Sequence, residues 1–592
     1  MTVRYEVSLR EPHAHLLDLE AHFPAKAEPH TLALPVWTPG SYLVREYARH
    51  LQNISASTAG GVPLDVVPLD KHRYRVDGNG EPVRVRYRVY ANELTVRTSH
   101  FDDSHAYFNG ATVFLYDEAF RHRAHHVRIE APTGWRVFCA LPEQSGPAQS
   151  GVLVAPDYDT LVDSPIEVGP HTAQAFVAAG VKHTVVFVGD PKPDAARIQN
   201  DFTRIIEAQA PMFGGLPFER YLFLIYLVDK GRGGLEHQAS TALLYPRFGL
   251  GTPRGWEDFL GLVSHEYFHL WNVKRIKPAA FVPFDYSREV HTSLLWAFEG
   301  TTSYYDNLFV QRAGLMSPAR YLLRLGEALT SLHGTPGRNV QTLSEASFFA
   351  WTKHYRPDEN TPNSAISYYL KGEVVSLLLD LEIRQRTANA RSLDDVMRLL
   401  WERYGRTGQG VPENGVEQAA HEVAGTSLAP FFERALRSTE SLDYAPFGHV
   451  GLDVRFRVRE SPQDKGGGPP RLKSTDVRPK GWLGATLKNG VQVATVASDS
   501  PAMRAGLYAD DDIVALDGYK VDGAQLLSRI DDKRPGDVVR LSVFRKDRLV
   551  ELPVTLGAKP ADAVYLARVD NPSPAQKAAY HAWLGQAWET AE

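Results

Sequence analysis

The pattern of apolar and polar residues divides the chain into regions of different secondary structure. Up to about residue 170 the two kinds of residue alternate as in β-strands, most clearly in Val83–Tyr90. From 171 to 460 an almost continuous apolar run at 221–228 predicts a strand that is covered on both faces. After it, apolar residues recur with a helical period, which predicts helices at about 255–275, 291–313, 317–332, 365–388 and 393–404.

The last third of the chain contains a linker and a second strand-rich region. Residues 461–480 are rich in Gly, Pro and charge and almost without apolar residues, which predicts a linker. Residues 481–560 predict a compact strand-rich module, and residues 561–592 a helical tail. The sequence therefore predicts a multidomain α+β protein, with an N-terminal β-domain at 1–170 and a mostly helical domain at 171–460.

Composition narrows the class of protein. A single core stops growing near roughly 250–300 residues, so a chain of 592 residues forms several domains. The net charge of −5 is spread along the chain, and no apolar run approaches the ~20 residues of a membrane helix. We therefore expect neither nucleic-acid binding nor a membrane span. Charges near Met1 indicate a cytoplasmic location, or a periplasmic one if a leader has been removed.

One segment carries the pattern of a metallopeptidase centre. His265-Glu266-Tyr-Phe-His269 fits H-E-x-x-H within a predicted helix, where residues i and i+4 face the same side. Both imidazoles can therefore bind one zinc ion, and Glu266 can serve as general base. Cys139 is the only cysteine, so a metal must be held by histidine and carboxylate.

A second helical segment supplies the missing ligand. A catalytic zinc needs a third protein ligand beside an open position, and Glu299 is the candidate. Asp306 lies seven residues later, two helical turns on and on the same face. It can accept the other N–H of a ligand histidine, which metal-bound histidines usually require.

These segments resemble the gluzincin zinc peptidases, and more narrowly the glycyl aminopeptidase family with its C-terminal PDZ domain. The resemblance covers most of the chain and implies a thermolysin-like catalytic domain at 171–460, with one zinc ion per chain. The gap between His269 and Glu299 is longer than in most gluzincins, which implies an inserted loop. The segments that carry the resemblance are HEYFHLW at 265–271, EGTTSYYDN at 299–307, LPVWTPGSY at 34–42 and GGLEH at 233–237.

Two further segments receive roles. Gly233 and Gly234 let a backbone approach a bound peptide, and the carboxylate of Glu236 could pair with an α-amine. The resemblance to a G-x-M-E-N strand assigns Glu236 to the substrate amine, although Leu and His replace Met and Asn here. A Y-x-K-G segment implies that Tyr369 donates to the oxyanion, with Tyr368 as the alternative.

The module at 481–560 resembles a PDZ domain of the protease-associated kind. The marks are S-P-A-x-x-A-G-L at 500–507 and D-x-I-x-x-x-D-G at 511–518. Such domains bind a peptide as an added edge strand, and Leu483, Gly484 and Ala485 would hold its C-terminal carboxylate. The alternative is a structural module that caps the catalytic domain.

The predicted activity is that of an aminopeptidase acting on peptides with a free N-terminus. The resemblance implies a preference for N-terminal Gly and Ala. Two alternatives remain: an endopeptidase that captures substrates through its PDZ domain, and a catalytically silent PDZ scaffold.

Overall fold

The computed structural model describes residues 2–144, 151–471 and 479–588. The chain forms two compact units. The first contains Met1–His291, Tyr305–Leu315 and Met397–Glu413, and the second contains Thr292–Tyr304, Met316–Val396 and Asn414–Glu592. Among the described residues, no helix is both long and apolar enough to cross a membrane.

The first unit begins with a β-rich region. Strand Val83–Tyr90 buries every second residue, as its alternation predicts. It lies within a seven-stranded sheet in the order Val152–Ala155, His125–Glu130, Val3–Glu11, Leu16–Phe23, Val83–Tyr90, Leu51–Thr58 and Pro63–Leu64. Two four-stranded sheets complete the region. The first has the order Arg136–Phe138, Ile166–Gly169, Ala106–Phe108 and Ser99–Phe101. The second has the order Tyr116–Asp117, His30–Ala33, Arg73–Val76 and Val66–Pro68.

A five-stranded sheet carries the first part of the site. Its central strand, Arg220–Val228, is buried on both faces, as its continuous apolar run predicts. The strand Gly233–Glu236, called the edge strand below, lies at one end of the sheet and runs antiparallel to its neighbour. The order is Ala173–Ala178, Val181–Val188, Arg220–Val228, Ser240–Pro246 and Gly233–Glu236.

The motif helix, Pro253–Phe268, follows this sheet. Thr252 caps its first turn by accepting a hydrogen bond from Gly255 N, and Pro253 occupies the first position, where no N–H is needed. The helix ends at Phe268, so the predicted end near residue 275 is wrong. Residues after His269 keep apolar character because a buried loop follows, in which Val273 has a φ of 98°.

A second long helix consists of a π-helical turn, Trp296–Gly300, followed directly by Thr301–Arg312; we call it the glutamate helix. The tyrosine helix, Tyr368–Arg386, begins after Ser367, which caps it. Gly300 and Gly372 let the π turn and the tyrosine helix pack backbone to backbone in the second unit. The other α-helices of the described residues are Tyr158–Val162, Ala195–Gln209, Pro318–His333, Leu343–Phe348, Thr361–Ser364, Leu393–Leu400, Gly415–Ala424, Ala429–Phe432, Pro501–Arg504, Gly523–Asp531 and Pro574–Leu584.

The C-terminal module belongs to the second unit. Its main sheet has the order Ala485–Lys488, Gln492–Val496, Asp512–Leu516, Val538–Arg545 and Arg548–Thr555. Short strands Gly481–Trp482 and Gly557–Ala558 pair with each other. Asn363 lies outside the module and binds it with both ends of its amide, donating to Val496 O at 2.8 Å and accepting from Ser498 N at 2.8 Å.

Two predictions for the C-terminal third need correction. Ala563–Arg568 is a strand that pairs with Leu452–Arg457, so the tail is helical only at Pro574–Leu584. The first half of the predicted linker is packed, because Gly467 N donates to Val564 O and Asp464 pairs with Arg457. Residues 472–478 of that linker, and 589–592 of the tail, lie outside the described residues.

Candidate metal centre

The two motif histidines direct one ring nitrogen each to the same point. Their Nε2 atoms are 3.1 Å apart and the rings are nearly perpendicular. His265 Nδ1 lies 3.3 Å from Asp306 Oδ2, and His269 Nδ1 lies 2.7 Å from the carbonyl of Asn272. With a proton on each Nδ1, both acceptors are satisfied and the two Nε2 lone pairs face each other. Two converging lone pairs of this kind suit a metal ion.

The motif helix is held in this position by aromatic packing within the first unit. Phe268 stacks on Tyr305 of the glutamate helix at 4.9 Å, and Gly261 leaves room for Asn307. His269 follows the last helical residue but keeps helical dihedral angles, so the i, i+4 relation to His265 is preserved. The carbonyl of Asn272 becomes available because the chain turns directly after His269.

Glu266 lies against the backbone of the edge strand. The residue is 5% exposed. A Cβ atom at Gly234 would lie 2.2 Å from its carboxyl group, so only glycine allows this approach. Arg97 Nη2 donates to Gly234 O at 3.0 Å and holds the strand from the other side. The edge strand and Glu266 therefore form one surface on which an extended peptide can lie.

Glu236, at the end of the edge strand, is buried with a carboxylate oxygen that has no partner. It is 3% exposed, and among the described residues nothing forms a hydrogen bond to its Oε1. One ligand atom each of Glu236, Glu266 and His269 lie within 4.8 Å of one another. Gly40, with a φ of 90°, packs so closely that a Cβ there would be 2.4 Å from Oε1. An unpartnered buried carboxylate is costly unless a cation binds it.

His237, the next residue, faces away from this carboxylate. Its Nδ1 lies 3.2 Å from Asp163, which Lys274 also contacts at 2.5 Å. Burial raises the pKa of Asp163, but the charge of Lys274 and the hydrogen bond from His237 outweigh it and hold the pKa well below the usual range. His237 is therefore part of a buried ion cluster with Asp163 and Lys274.

In the second unit, Glu299 occupies the π turn of the glutamate helix and is 2% exposed. It lies near His354: burial lowers the pKa of this histidine, and the charge of Glu299 opposes the shift. His354 packs against the rings of both Tyr368 and Tyr369 at 5.0 and 5.6 Å. Glu299 and the two candidate oxyanion donors thus belong to one neighbourhood of this unit.

The two tyrosines share a partner. Tyr355 OH lies 3.0 Å from Tyr369 OH and 3.2 Å from Tyr368 OH. Tyr368 is fully buried, whereas Tyr369 is half-buried. A hydroxyl must reach a bound substrate to donate to it, which favours Tyr369.

The predicted carboxylate loop of the module begins its outer strand. Leu483 is buried in the module core, and Ala485 starts strand Ala485–Lys488. Gly484 has a φ of 81°, and a Cβ there would collide with Ser500. The outer strand lies at one end of the strand order, where an added strand can pair.

Sequence reasoning missed several residues that support this site. Gly40 and Arg97 contact the edge strand from distant parts of the chain, and such contacts leave no pattern in the local sequence from which they could be predicted. Tyr355 and His354 belong to no sequence motif from which their position beside Tyr368 and Tyr369 could be predicted. Asn272 had a signal, since a ligand histidine at a helix end needs an acceptor within the next turn.

Three protein-family descriptions match segments of this chain. They are the peptidase M61 N-terminal domain at residues 4–170, the M61 glycyl aminopeptidase at 258–375 and the PDZ domain at 453–556. A crystal structure of an aminopeptidase N family protein from Idiomarina loihiensis is 33% identical and superposes with a TM-score of 0.92. The match covers 98% of this chain and 100% of that one.

Several serine proteases match over a short stretch, and two of them serve as examples. A probable periplasmic serine endoprotease DegP-like of Brucella suis biovar 1 (strain 1330) is 37% identical over 81 residues, which is 14% of this chain and 16% of that protein. Serine protease Do-like HtrA of Bacillus subtilis (strain 168) is 36% identical over 81 residues, 13% of this chain and 18% of the protease. The chain thus spans less than a fifth of the length of either.

Proposed function

Because this chain belongs to the M61 glycyl aminopeptidase family and is a metallopeptidase, we propose that it is a zinc-dependent aminopeptidase. Its substrates are peptides with a free N-terminus, from which it releases Gly or Ala. The observation that carries this proposal is the buried Glu236 carboxylate, whose Oε1 has no hydrogen-bond partner in the described part of the chain. A protonated α-amine complements it in charge and in hydrogen bonding.

The proposed ligands of one catalytic zinc ion are His265, His269 and Glu299, with Asp306 orienting the first histidine. The converging Nε2 atoms support the two histidines. Glu299 precedes Asp306 by seven residues on the glutamate helix, and that spacing returns to the same helical face. When bound, zinc acts as a Lewis acid towards water and the scissile carbonyl.

The remaining steps belong to side chains of this chain. Glu236 accepts hydrogen bonds from the substrate amine and fixes which peptide bond lies beside Glu266. Gly233 and Gly234 leave the edge-strand backbone accessible to the extended substrate. Glu266 takes a proton from the attacking water and passes it to the leaving amine. Tyr369 donates a hydrogen bond to the oxyanion as the carbonyl becomes tetrahedral.

The test is hydrolysis of glycyl, alanyl and leucyl anilides, each with a free and with an N-acetylated amine. We expect cleavage of free glycyl and alanyl substrates, poor cleavage of leucyl and none of the acetylated forms. Glu266→Gln should retain zinc and lose turnover. Glu236→Gln should weaken binding of free-amine substrates, whereas Glu219→Gln, at an exposed position, should not. Equal cleavage of acetylated substrates would contradict the role of Glu236.

A second candidate is an endopeptidase that captures substrate tails at its PDZ domain. The observation that favours it is the outer strand Ala485–Lys488, which lies at one end of the module sheet beside the loop of Leu483, Gly484 and Ala485. This candidate predicts cleavage of acetylated substrates, at rates that rise when the substrate carries an apolar C-terminal tail. Zinc binding without turnover of any substrate would instead favour a silent PDZ scaffold.

A further inference from the structure

A group of histidines and carboxylates lies in the first unit apart from the metal centre. Its middle residue is Glu167 on strand Ile166–Gly169, which is 0% exposed. This strand belongs to a four-stranded sheet that packs on the five-stranded sheet through an apolar core containing Val186, Leu224 and Tyr226. A carboxylate in such a place is costly unless a cation or several hydrogen bonds compensate it.

Among the described residues, the ion-pair partners of Glu167 are imidazole rings and not the permanently charged side chain of a lysine or arginine. His105 Nδ1 lies 3.0 Å and His171 Nε2 lies 2.8 Å from the same oxygen, Oε1. Tyr226 OH donates to the other oxygen, Oε2, at 2.9 Å.

The three donor atoms are spaced as metal ligands are. One atom each of His105, Glu167 and His171 lie within 4.8 Å of one another. Two nitrogens and a carboxylate oxygen form a donor set that suits Zn²⁺, whose ligands sit about 2.0–2.2 Å from the ion. Tyr226 fixes the carboxylate from the outside, as the outer partner of a metal-bound carboxylate does.

Gly169 provides the space that one ligand needs. A Cβ at this position would lie 2.3 Å from His171 Nε2, although the backbone there has no positive φ that would itself require glycine. The glycine is thus explained by the approach of the histidine ring to Glu167. Asp102 holds the backbone of one ligand: it accepts a hydrogen bond from His105 N at 3.1 Å and also lies 3.0 Å from His100 Nε2.

We propose that His105, Glu167 and His171 bind a second divalent cation, Zn²⁺ by its donor chemistry, which cross-links strand Ile166–Gly169 and the residue two positions after it to the start of strand Ala106–Phe108. The ion supplies the positive charge that the buried carboxylate lacks. A water completes its coordination, and its role is structural, because none of its ligands belongs to the proposed catalytic machinery. The alternative occupant of the cluster is a proton shared between Glu167 and the two histidines.

The test counts zinc in the full chain. Protein stripped with a chelator and dialysed against Zn²⁺ should hold two equivalents by elemental analysis. His105→Gln/His171→Gln should hold one, His265→Ala/His269→Ala one, and the combination of all four changes none. His13→Gln/His122→Gln, which removes two exposed histidines of the same region, should still hold two.

Two further measurements keep the proposal falsifiable if the double variant fails to fold. Tyr226→Phe should bind one of the two zinc equivalents about 10- to 100-fold more weakly, in competition with a coloured chelator. Glu167→Gln, which keeps volume and hydrogen bonding, should lose that equivalent. If the wild type and His105→Gln/His171→Gln bind zinc equally, the cluster holds only a proton and the proposal is overturned. If the proposed catalytic site does not bind zinc, the outcome is different: His265→Ala/His269→Ala would then hold as many zinc equivalents as wild type.

Discussion

Gly234 and Glu266 are packed so closely that a methyl group on the glycine would lie 2.2 Å from the carboxyl group. The position of the base is therefore set by the backbone of the strand on which the substrate is proposed to lie. A change in the backbone of that strand should therefore displace Glu266 without altering the metal ligands.

Gly234→Ala should displace Glu266 while leaving the histidines in place. A misplacement of about 1 Å can cost roughly 100-fold in rate, so we expect kcat to fall by about that factor with zinc content unchanged. Gly233→Ala is the comparison in the same strand: its Cβ would meet only Arg97 Nη1 at 3.7 Å and not Glu266, so it should leave kcat near the wild-type value, whatever its effect on KM. Similar rates for the two variants would show that the base does not depend on this contact.

Gly40→Ala should act on amine recognition. Its Cβ would lie 2.4 Å from Glu236 Oε1, so the carboxylate must move. Loss of a charged hydrogen bond corresponds to about 1.5–3 kcal/mol, and we expect kcat/KM for free-amine anilides to fall roughly 10- to 100-fold. Gly61→Ala has the same backbone conformation, with a φ of 88°, but nothing within 4 Å, and separates backbone strain from this effect.

Asp306→Ala should weaken zinc binding. Without the carboxylate, His265 Nδ1 loses an acceptor and the ring is free to turn. Loss of such a partner typically costs 10- to 100-fold in metal affinity, measurable by competition with a chelator. Asp306→Asn retains an acceptor oxygen and should lose less; an affinity unchanged in both variants would remove Asp306 from the centre.

Substitution of the three clustered tyrosines by Phe should identify the oxyanion donor. Removal of an oxyanion donor costs roughly 100- to 1000-fold in kcat, and we expect this for Tyr369→Phe. Tyr355→Phe removes a partner of both hydroxyls and should have a smaller effect. A large loss in Tyr368→Phe with little change in Tyr369→Phe would reverse the assignment.

The stability of the first unit should fall in mild acid because of His183. Burial lowers the pKa of this histidine to about 4, whereas an unfolded chain has about 6.5. Above pH 6.5 both states are neutral. As pH falls towards 4 only the unfolded state gains a proton, and about 3 kcal/mol of stability is lost. Urea unfolding of chelator-treated protein should show a smaller acid loss for His183→Gln, which can still bond Tyr267, than for wild type or His13→Gln.

The sequence predicted those parts of the site that lie on one helix. Spacing alone relates His265 to His269, because helical periodicity sets which side chains share a face. The same periodicity relates Glu299 to Asp306, which stays a prediction. It could not place Gly40 against Glu236 or Arg97 against Gly234, since those contacts join different parts of the chain. Nor could it distinguish Tyr368 from Tyr369, which depends on their relative burial.

In the fold, too, features set by neighbouring residues could be predicted from the sequence, and features set by distant residues could not. Strands Val83–Tyr90 and Arg220–Val228 carry their burial pattern in their own residues. Strand Ala563–Arg568 depends on pairing with the distant strand Leu452–Arg457, so the tail could not be assigned locally. The end of the motif helix was missed because buried loop residues carry the same apolar signal as a helix.

The π turn at Trp296–Gly300 has a consequence for how this protein can vary between species. A π turn contains one residue more than the α turn it replaces, so the helix before and after it is offset by about 100°. Loss of a single residue between Trp296 and Glu299 would give a regular helix and rotate the residues before the turn by about 100° relative to Glu299 and Asp306. An alignment without a gap in this segment would therefore shift the residues before the turn by one position relative to Glu299.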